Sequence, residues 1–155
     1  MKTPRTAQRA SDPADLACPC GGHAATASAP KTSQTQRAIR YRDCCGRFIE
    51  DGQIPDTAEQ LMRSRYTAYV LEHFNYLRET WDRAHCPADL GAEPGPQWLG
   101  LEVRAHHQTD ANHASVEFVA RYKTGGRAHR LHEVSRFTRG EDGRWRYVDG
   151  RVDDA

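Results

Sequence analysis

The 155-residue sequence has no long apolar run and almost no net charge. Its first seventeen residues include basic side chains but no apolar core of seven, so we expect neither a signal peptide nor a membrane anchor there. No later stretch approaches the roughly 20 apolar residues that a bilayer span requires. The formal charge of +1 gives no general attraction for nucleic acid or anionic lipid. These absences predict a soluble, cytoplasmic protein that binds no membrane.

Other features are scarce as well. Large apolar side chains are few in the first fifty residues, so the core must form after residue 55. There is no nucleophile elbow, phosphate-binding loop or catalytic dyad. From Arg121 to Arg151 there are nine Lys or Arg and four Asp or Glu, a local charge of +5, but no aromatic recognition motif accompanies them. We therefore do not expect nucleic-acid binding.

Cysteine, in contrast, is present in pairs. Four of the five cysteines form two doublets, Cys18-Pro19-Cys20 and Cys44-Cys45. Neither doublet readily forms an unstrained internal disulfide, whereas four thiolates can enclose one tetrahedral zinc ion. We therefore predict a zinc site with Cys18, Cys20, Cys44 and Cys45 as ligands. A disulfide switch between the vicinal pair is a rival hypothesis, but it leaves the first doublet unexplained.

The residues around the doublets, CPCGG and YRDCCGRFI, resemble the SEC-C zinc motif. The two halves are further apart than in that motif, with 23 residues between Cys20 and Cys44. Most of this spacer, about residues 24–38, is small and polar and predicts a flexible insert. Closing the longer loop costs about 0.9 kcal/mol more, which is little against the ~10–16 kcal/mol of structural zinc binding. His23 stands where the motif has a glycine, so three cysteines with His23 are the alternative ligand set.

The chain after Pro55 predicts a long helix and then a sheet. Asp56-Thr57-Ala58-Glu59 has an N-cap pattern, and apolar residues recur at helical spacing to about Trp81. A loop rich in Pro and Gly follows at residues 87–96. Four strand-like segments come next: WLGLEVRAHH, HASVEFVARYKT, RAHRLHEVSRFTR and GRWRYVDGRV. This order predicts an α+β fold, with one long N-terminal helix packed on a curved antiparallel sheet.

Strand alternation indicates a pocket between the helix and the sheet. Glu133 and Ser135 share one face of the third strand with apolar neighbours, which would leave a carboxylate inside the core. We therefore predict Glu133 as a residue of a ligand-size pocket. Either Arg63 or Arg65 can reach it from the helix, and a bidentate arginine–carboxylate pair is the purely structural interpretation. The predicted pocket comprises Arg63, Arg65, Tyr66, Tyr69, Trp81, Glu133 and Ser135.

Six blocks in order resemble the YchJ family of bacterial proteins: LMRSRYTAYV, NYLRETW, WLGLEV, VEFVARY, HRLHEVSRF and GRWRYVDG. The resemblance runs from about Leu16 to Gly150. It implies an N-terminal zinc motif joined to a cone-shaped domain of the nuclear-transport-factor-2 and cystatin type. The expected organisation is a disordered tail at 1–15, a zinc module at 16–49 and the cone-shaped domain at 55–152. Asp82 follows Trp81, where the family often has a histidine.

Two classes of function remain open, because the resemblance does not supply an activity. The first is a zinc-binding adaptor, whose zinc module contacts a protein partner and whose pocket holds a small molecule. The second is an enzyme of isomerase, dehydratase or hydrolase type, with acid–base chemistry at Glu133 beside Arg65, Tyr66 or Asp82. We favour the adaptor because no catalytic signature is present. A homodimer is left open.

The remaining candidate ligands are set aside. His106 and His107 are adjacent, and His129 and His132 are three apart, so each pair points to opposite faces of a strand and cannot chelate a metal ion. Cys86 is a lone thiol with no basic cluster fixed beside it. Neither the histidine pairs nor Cys86 is expected to form a site.

Overall fold

Helices precede an antiparallel sheet in the folded chain. The computed structural model describes residues 15–22 and 39–152; the predicted insert, His23 and nearly all of the predicted tail lie outside them. The elements are a 3-10 turn at Tyr41–Asp43, the helices α1 (Gly46–Ile49), α2 (Ala58–Leu71) and α3 (Phe74–Glu79), and the strands β1 (Gln97–Asp110), β2 (His113–Thr124), β3 (Arg127–Arg139) and β4 (Trp145–Val152). The predicted α+β class is confirmed.

The long helix predicted to reach Trp81 is wrong, because the chain turns at Glu72. Glu72 has a φ of 61° and ends α2. The N–H groups of Glu72 and His73 donate to carbonyl groups of the last turn of α2, in the crossed pattern of a Schellman motif. The shorter α3 then folds back, and the hydroxyls of Tyr76 and Ser64 lie 2.6 Å apart. Two short helices therefore stand in place of one long helix.

The start of α2 also differs by one residue from the predicted cap. Thr57, and not Asp56, is the N-cap, and its hydroxyl accepts a hydrogen bond of 3.1 Å from the N–H of Gln60. The Gln60 side-chain oxygen accepts a bond of 2.8 Å from the N–H of Asp56. The first bond satisfies one of the N–H groups that a helix start leaves open, and the second ties the residue before the cap to the first turn. With 14 residues, α2 is the longest helix of the described segments, none of which is long and apolar enough to cross a membrane.

The four strands form a meander in the order β1-β2-β3-β4, with every neighbouring pair antiparallel. β2 and β3 have the bounds of the second and third predicted segments, while β1 runs longer and β4 begins two residues later than predicted. Gly125 and Gly126 connect β2 to β3 with φ values of 57° and 77°, which glycine adopts without strain. The predicted hairpin between these strands is therefore present.

The core lies between α2 and one face of this sheet. Leu61 of α2 belongs to the same buried cluster as Val116 and Phe118 of β2 and Phe137 of β3. Each such side chain contributes about 1.5–3 kcal/mol when fully buried. Cys18, Cys20 and Cys45 belong to this cluster too. The cysteine segments therefore pack against the main core.

Candidate metal centre and adjoining cavity

The four paired cysteines converge at one point. Their Sγ atoms all lie within 4.8 Å of one another, and Cys20 Sγ is 3.5 Å from the Sγ atoms of both Cys18 and Cys44. All four are free thiols, so the vicinal disulfide is not formed. A tetrahedral ion with metal–sulfur bonds of about 2.3 Å places its sulfur ligands about 3.8 Å apart. The cluster therefore has the size and the donor atoms to hold one metal ion.

A short backbone bridge brings the two doublets together. The N–H of Cys18 donates to the carbonyl of Ile39, and the N–H of Tyr41 donates to the carbonyl of Leu16, both at 2.8 Å. These bonds flank an antiparallel bridge between the two segments. The N–H of Gly21 closes a tight turn on the Cys18 carbonyl at 3.0 Å. The bridge sets the distance between the two halves of the motif, whatever the length of the connecting segment.

Gly22 has no side chain, and the sulfur atoms of two cysteines occupy the space where a Cβ atom would lie. A Cβ atom at this position would lie 2.5 Å from Cys44 Sγ and 3.3 Å from Cys20 Sγ. Both distances are shorter than ordinary van der Waals contact. Gly22 is the last residue of the motif CPCGG, but its contact with the sulfur atoms could not be predicted from the sequence.

Side chains of α2 tie the cysteine segments to the rest of the fold. Thr67 Oγ1 lies 3.6 Å from Cys18 Sγ. Arg63 Nη1 donates a hydrogen bond of 3.0 Å to the carbonyl of Cys20, and Arg63 Nη2 lies 3.4 Å from Glu59 Oε1. Arg63, predicted as a pocket residue, is thus directed to the metal centre. Thr67 was not predicted from the sequence.

Crowding of the thiols shifts their pKa values in opposite directions. Hydrogen bonds from Cys20, and then from Cys44 and Cys45, lower the pKa of Cys18. Contact with Cys18 in turn raises the pKa of Cys20 and of Cys45. Four thiolates this close repel one another in a buried setting. A divalent cation relieves this repulsion because its positive charge offsets the charge of the thiolates.

A cavity of about 270 Å³ lies between α2 and the sheet. Five of the predicted pocket residues line it: Arg65, Tyr66, Tyr69, Glu133 and Ser135. Arg63 and Trp81 are not part of its lining. The lining residues that were not predicted as site residues are Met62, Trp98, Phe118, Ala120, Leu131, Phe137 and Tyr147. The cavity is therefore largely apolar, with a few polar groups.

Arg65 is the buried cation of this cavity, with 5% of its surface exposed. Its guanidinium carbon lies 4.7 Å from the ring centre of Trp81 and 4.6 Å from that of Tyr147. Nη1 donates to the carbonyl of Leu77 at 2.9 Å and to the hydroxyl of Thr80 at 2.7 Å. Burial lowers the pKa of Arg65, but an arginine stays charged under such conditions. Two aromatic rings and the end of α3 hold the guanidinium in place.

Glu133 is bound to a serine and not to an arginine. Ser135 Oγ donates a hydrogen bond of 2.6 Å to Glu133 Oε2. The predicted bidentate pair with Arg65 or Arg63 is wrong, because both guanidinium groups use other acceptors. The carboxyl group lies over Gly150 of β4, where a Cβ atom would overlap it. Burial raises the pKa of Glu133, against the opposing effects of the Ser135 hydrogen bond and the Arg65 charge.

The other titratable candidates lie away from the cavity. Asp82 Oδ2 is 2.6 Å from Nδ1 of His85 at an exposed position, so Asp82 does not join Glu133. His132 Nε2 is 2.7 Å from Glu117 Oε2, and His129 stacks on a tyrosine ring. In residues 15–22 and 39–152 the four cysteines are the cluster whose geometry suits a metal ion.

This fold and site define a class of protein in which a cluster of four cysteines, with the geometry of a metal site, is joined to a small α+β domain with an internal cavity. The chain belongs to the YchJ family: the family model described as "YchJ, middle NTF2-like domain" matches residues 57–150. A UPF0225 protein of Cupriavidus metallidurans is 54% identical over 86% of each chain. A second, of Ralstonia nicotianae, is 51% identical over 86% of this chain and 90% of its own length.

Two solved structures are similar over most of the chain. One is a SEC-C motif containing protein from Rhodopseudomonas palustris, at 29% identity and a TM-score of 0.66, covering 90% of this chain and 100% of that one. The other is a SEC-C motif containing protein from Psychrobacter arcticus, at 30% identity and a TM-score of 0.66, covering 92% and 85%. The likeness thus extends over both the cysteine segments and the sheet.

Proposed function

We propose that this chain is a zinc-binding adaptor, in which a metal module holds a docking surface beside a cone-shaped domain that binds a small molecule. The observation that carries the proposal is the cluster of four sulfur atoms built onto α2. Zinc suits four thiolates in tetrahedral geometry, and with all four positions taken by cysteine it would act as a structural ion. Free thiols of this kind persist in a reducing compartment, so we assign the protein to the cytoplasm.

The docking surface that we assign to a protein partner is the groove beside the module. It has a volume of about 610 Å³ and lies between α1, the loop after it and α3. Phe48 and Ile49 form part of its apolar wall, and Ile54 at its edge is 46% exposed. Arg78 and Glu79 add charges of both signs. An apolar side chain of a partner, flanked by polar groups, fits this combination.

The test has two parts, metal content and partner capture. Elemental analysis of tag-free protein is expected to give one zinc per chain, and absence of metal with reactive cysteines would overturn the proposal. Ile54→Asp and the double variant Cys44→Ser/Cys45→Ser should then lose partners that the native chain retains. Leu99→Asp is the matched control, because Leu99 is 49% exposed but lies outside the groove. Retention of every partner by both altered proteins would contradict the adaptor role.

A second candidate is an enzyme of isomerase, dehydratase or hydrolase type, favoured by Glu133. A carboxyl group whose pKa is raised by burial in a cavity is suited to general acid–base catalysis. Arg65 and Tyr66 line the same cavity and would bind or polarise a substrate. Turnover of a cavity ligand that is lost in Glu133→Gln, while binding persists, would support this role. Binding without turnover by the native chain would favour the adaptor.

A further inference from the structure

The polar groups that face the cavity are mostly hydrogen-bond donors. Nη1 of Arg65 donates two hydrogen bonds, and the Tyr69 hydroxyl is a further hydrogen-bond partner of the guanidinium. A guanidinium has five N–H groups, so donors remain for a ligand. Tyr147 contacts Arg65 through its ring, and its hydroxyl has no hydrogen-bond partner among the described residues. Burial raises the pKa of Tyr69 and of Tyr147, so both hydroxyls keep their protons and can donate. The cavity therefore offers several N–H and O–H groups at one end.

Acceptors are few at this end of the cavity. Glu133 is the carboxyl group in the lining, and Ser135 already donates to one of its oxygen atoms. The Arg65 charge is nearly fully buried, and no carboxylate of residues 15–22 or 39–152 forms an ion pair with it. Trp81 contacts Arg65 from outside the lining, and its own buried N–H has no acceptor among the residues described. A buried cation with spare donors is costly unless an anion or a polar ligand compensates it.

We propose that the cavity binds a small organic carboxylate, whose oxygen atoms accept hydrogen bonds from Arg65 and the neighbouring tyrosine hydroxyls. The apolar body of the ligand lies against Met62, Trp98, Phe118 and Leu131. This assignment rests on the proposed role of the cavity as a ligand site and specifies the ligand's charge. Arginine suits it because the guanidinium group presents parallel donors to a carboxylate.

The size of the cavity limits the ligand. A volume of about 270 Å³ corresponds to about nine water molecules at about 30 Å³ each, so the ligand has a similar number of non-hydrogen atoms. Benzoate has this size. Trp98 makes ring contacts with Tyr66 and Tyr69, at centroid distances of 5.7 and 6.1 Å. Such an aromatic wall accommodates a ring or a short aliphatic chain.

Three aromatic probes of similar size and different charge test the inference. Benzoate, benzamide and benzylamine are titrated into the zinc-loaded full chain and followed by calorimetry and amide NMR shifts. Benzoate is expected to bind about tenfold or more tightly than benzamide, because its hydrogen bonds are charge-assisted. If the amide or the amine bound as tightly as benzoate or more tightly, the proposal that the ligand is a carboxylate would be overturned. The cavity would still be a ligand site. If none of the three compounds bound, both the inference and the ligand-binding part of the proposed function would be overturned. Partner capture tests the docking part of the proposed function separately.

Substitutions identify the side chains that contact the ligand. Arg65→Gln should abolish benzoate binding, and Tyr147→Phe should weaken it about threefold or more. Tyr147→Phe keeps the ring, so it remains informative if Arg65→Gln does not fold. Glu133→Gln should bind benzoate at least as tightly as the native chain, because it removes a carboxylate that repels the ligand. Tyr122→Phe is the control, since Tyr122 lies beside Trp98 but not in the lining. Unchanged affinity in Tyr147→Phe, or a tenfold loss in Glu133→Gln, would overturn the assignment.

Discussion

At the scale of single residues, two glycines show what a sequence motif conceals. Gly22 lies against the sulfur atoms of Cys44 and Cys20, and Gly150 lies against the carboxyl group of Glu133. Both glycines provide space for a functional group from another part of the chain. The cysteines themselves were predictable, because soft thiolate donors in two doublets have few other uses. The contacts of the two glycines with Cys44 and with Glu133 were not predictable, because these residues come from distant segments.

Gly22→Ala is expected to weaken metal binding about tenfold or more, in the range seen when the surroundings of metal ligands are altered. The added Cβ atom would lie 2.5 Å from Cys44 Sγ, and a metal-bound sulfur cannot move away freely. Competition with a colorimetric zinc chelator measures the change. Gly95→Ala is the matched control, because nothing lies within 4 Å of its Cβ position. Equal zinc retention in the two variants would contradict the packing argument.

Glu133→Gln should change how stability depends on pH. Burial raises the pKa of Glu133 in the folded chain above its ordinary value of 4.5. Folding therefore favours the protonated form, and this contribution is fully present below pH 4.5 and is lost as the pH rises through the raised pKa. Glutamine has no such proton, so Glu133→Gln should become more stable relative to the native chain as the pH rises. Urea denaturation from pH 4 to pH 8 measures the difference, and a constant difference would refute the claim.

At the scale of elements, the end of α2 is where local reasoning failed. Apolar residues continue at helical spacing beyond Leu71, so periodicity predicted one helix to Trp81. The turn is made by Glu72 with a positive φ, a position that usually carries Gly or Asn. Contacts of α3, such as that between the Tyr76 and Ser64 hydroxyls, stabilise the folded-back arrangement. Tertiary contacts therefore override the local preference for a continuous helix.

Glu72→Gly is expected to raise the free energy of unfolding by about 1 kcal/mol, because a residue with a Cβ atom is disfavoured in the left-handed region. Glu72 is exposed, so few contacts are lost. Chemical denaturation followed by circular dichroism measures the change. Glu72→Ala keeps a Cβ atom and should give no such gain. A similar gain in both variants would mean that the positive φ is not the cause.

At the scale of the whole molecule, the four-cysteine cluster and the sheet domain share one core. Cys18, Cys20 and Cys45 are buried in the same cluster as Leu61 and Met62 of α2. The polar contacts from Thr67 and Arg63 cross the same boundary. A metal ion held by the four cysteines should therefore stabilise more than the segments that carry them.

Removal of the metal by a chelator is expected to lower the melting temperature. It should also reduce protection from hydrogen exchange near the cysteines before it does so in the sheet. Hydrogen exchange should rise around Cys18 and Cys44 and along α2 near Arg63 and Thr67, because their partners lose a fixed position. The hairpin of β2 and β3 should keep its protection. Cys86→Ser, which alters the cysteine outside the cluster, should leave metal content and exchange unchanged. Equal exchange with and without metal would contradict the coupling.

The amino-acid sequence by itself determined the α+β class, the bounds of β2 and β3 and the convergence of four cysteine side chains on one point. These follow from side-chain alternation, turn residues and ligand type, all of which are local properties. Only the tertiary structure decided that α2 ends at Glu72, that Arg63 is directed to the metal centre, and that Arg65 stays apart from Glu133. The physical reason is that a long charged side chain binds the acceptors that packing brings within reach. Those acceptors, the Cys20 carbonyl and the end of α3, are placed by contacts between segments far apart in the chain.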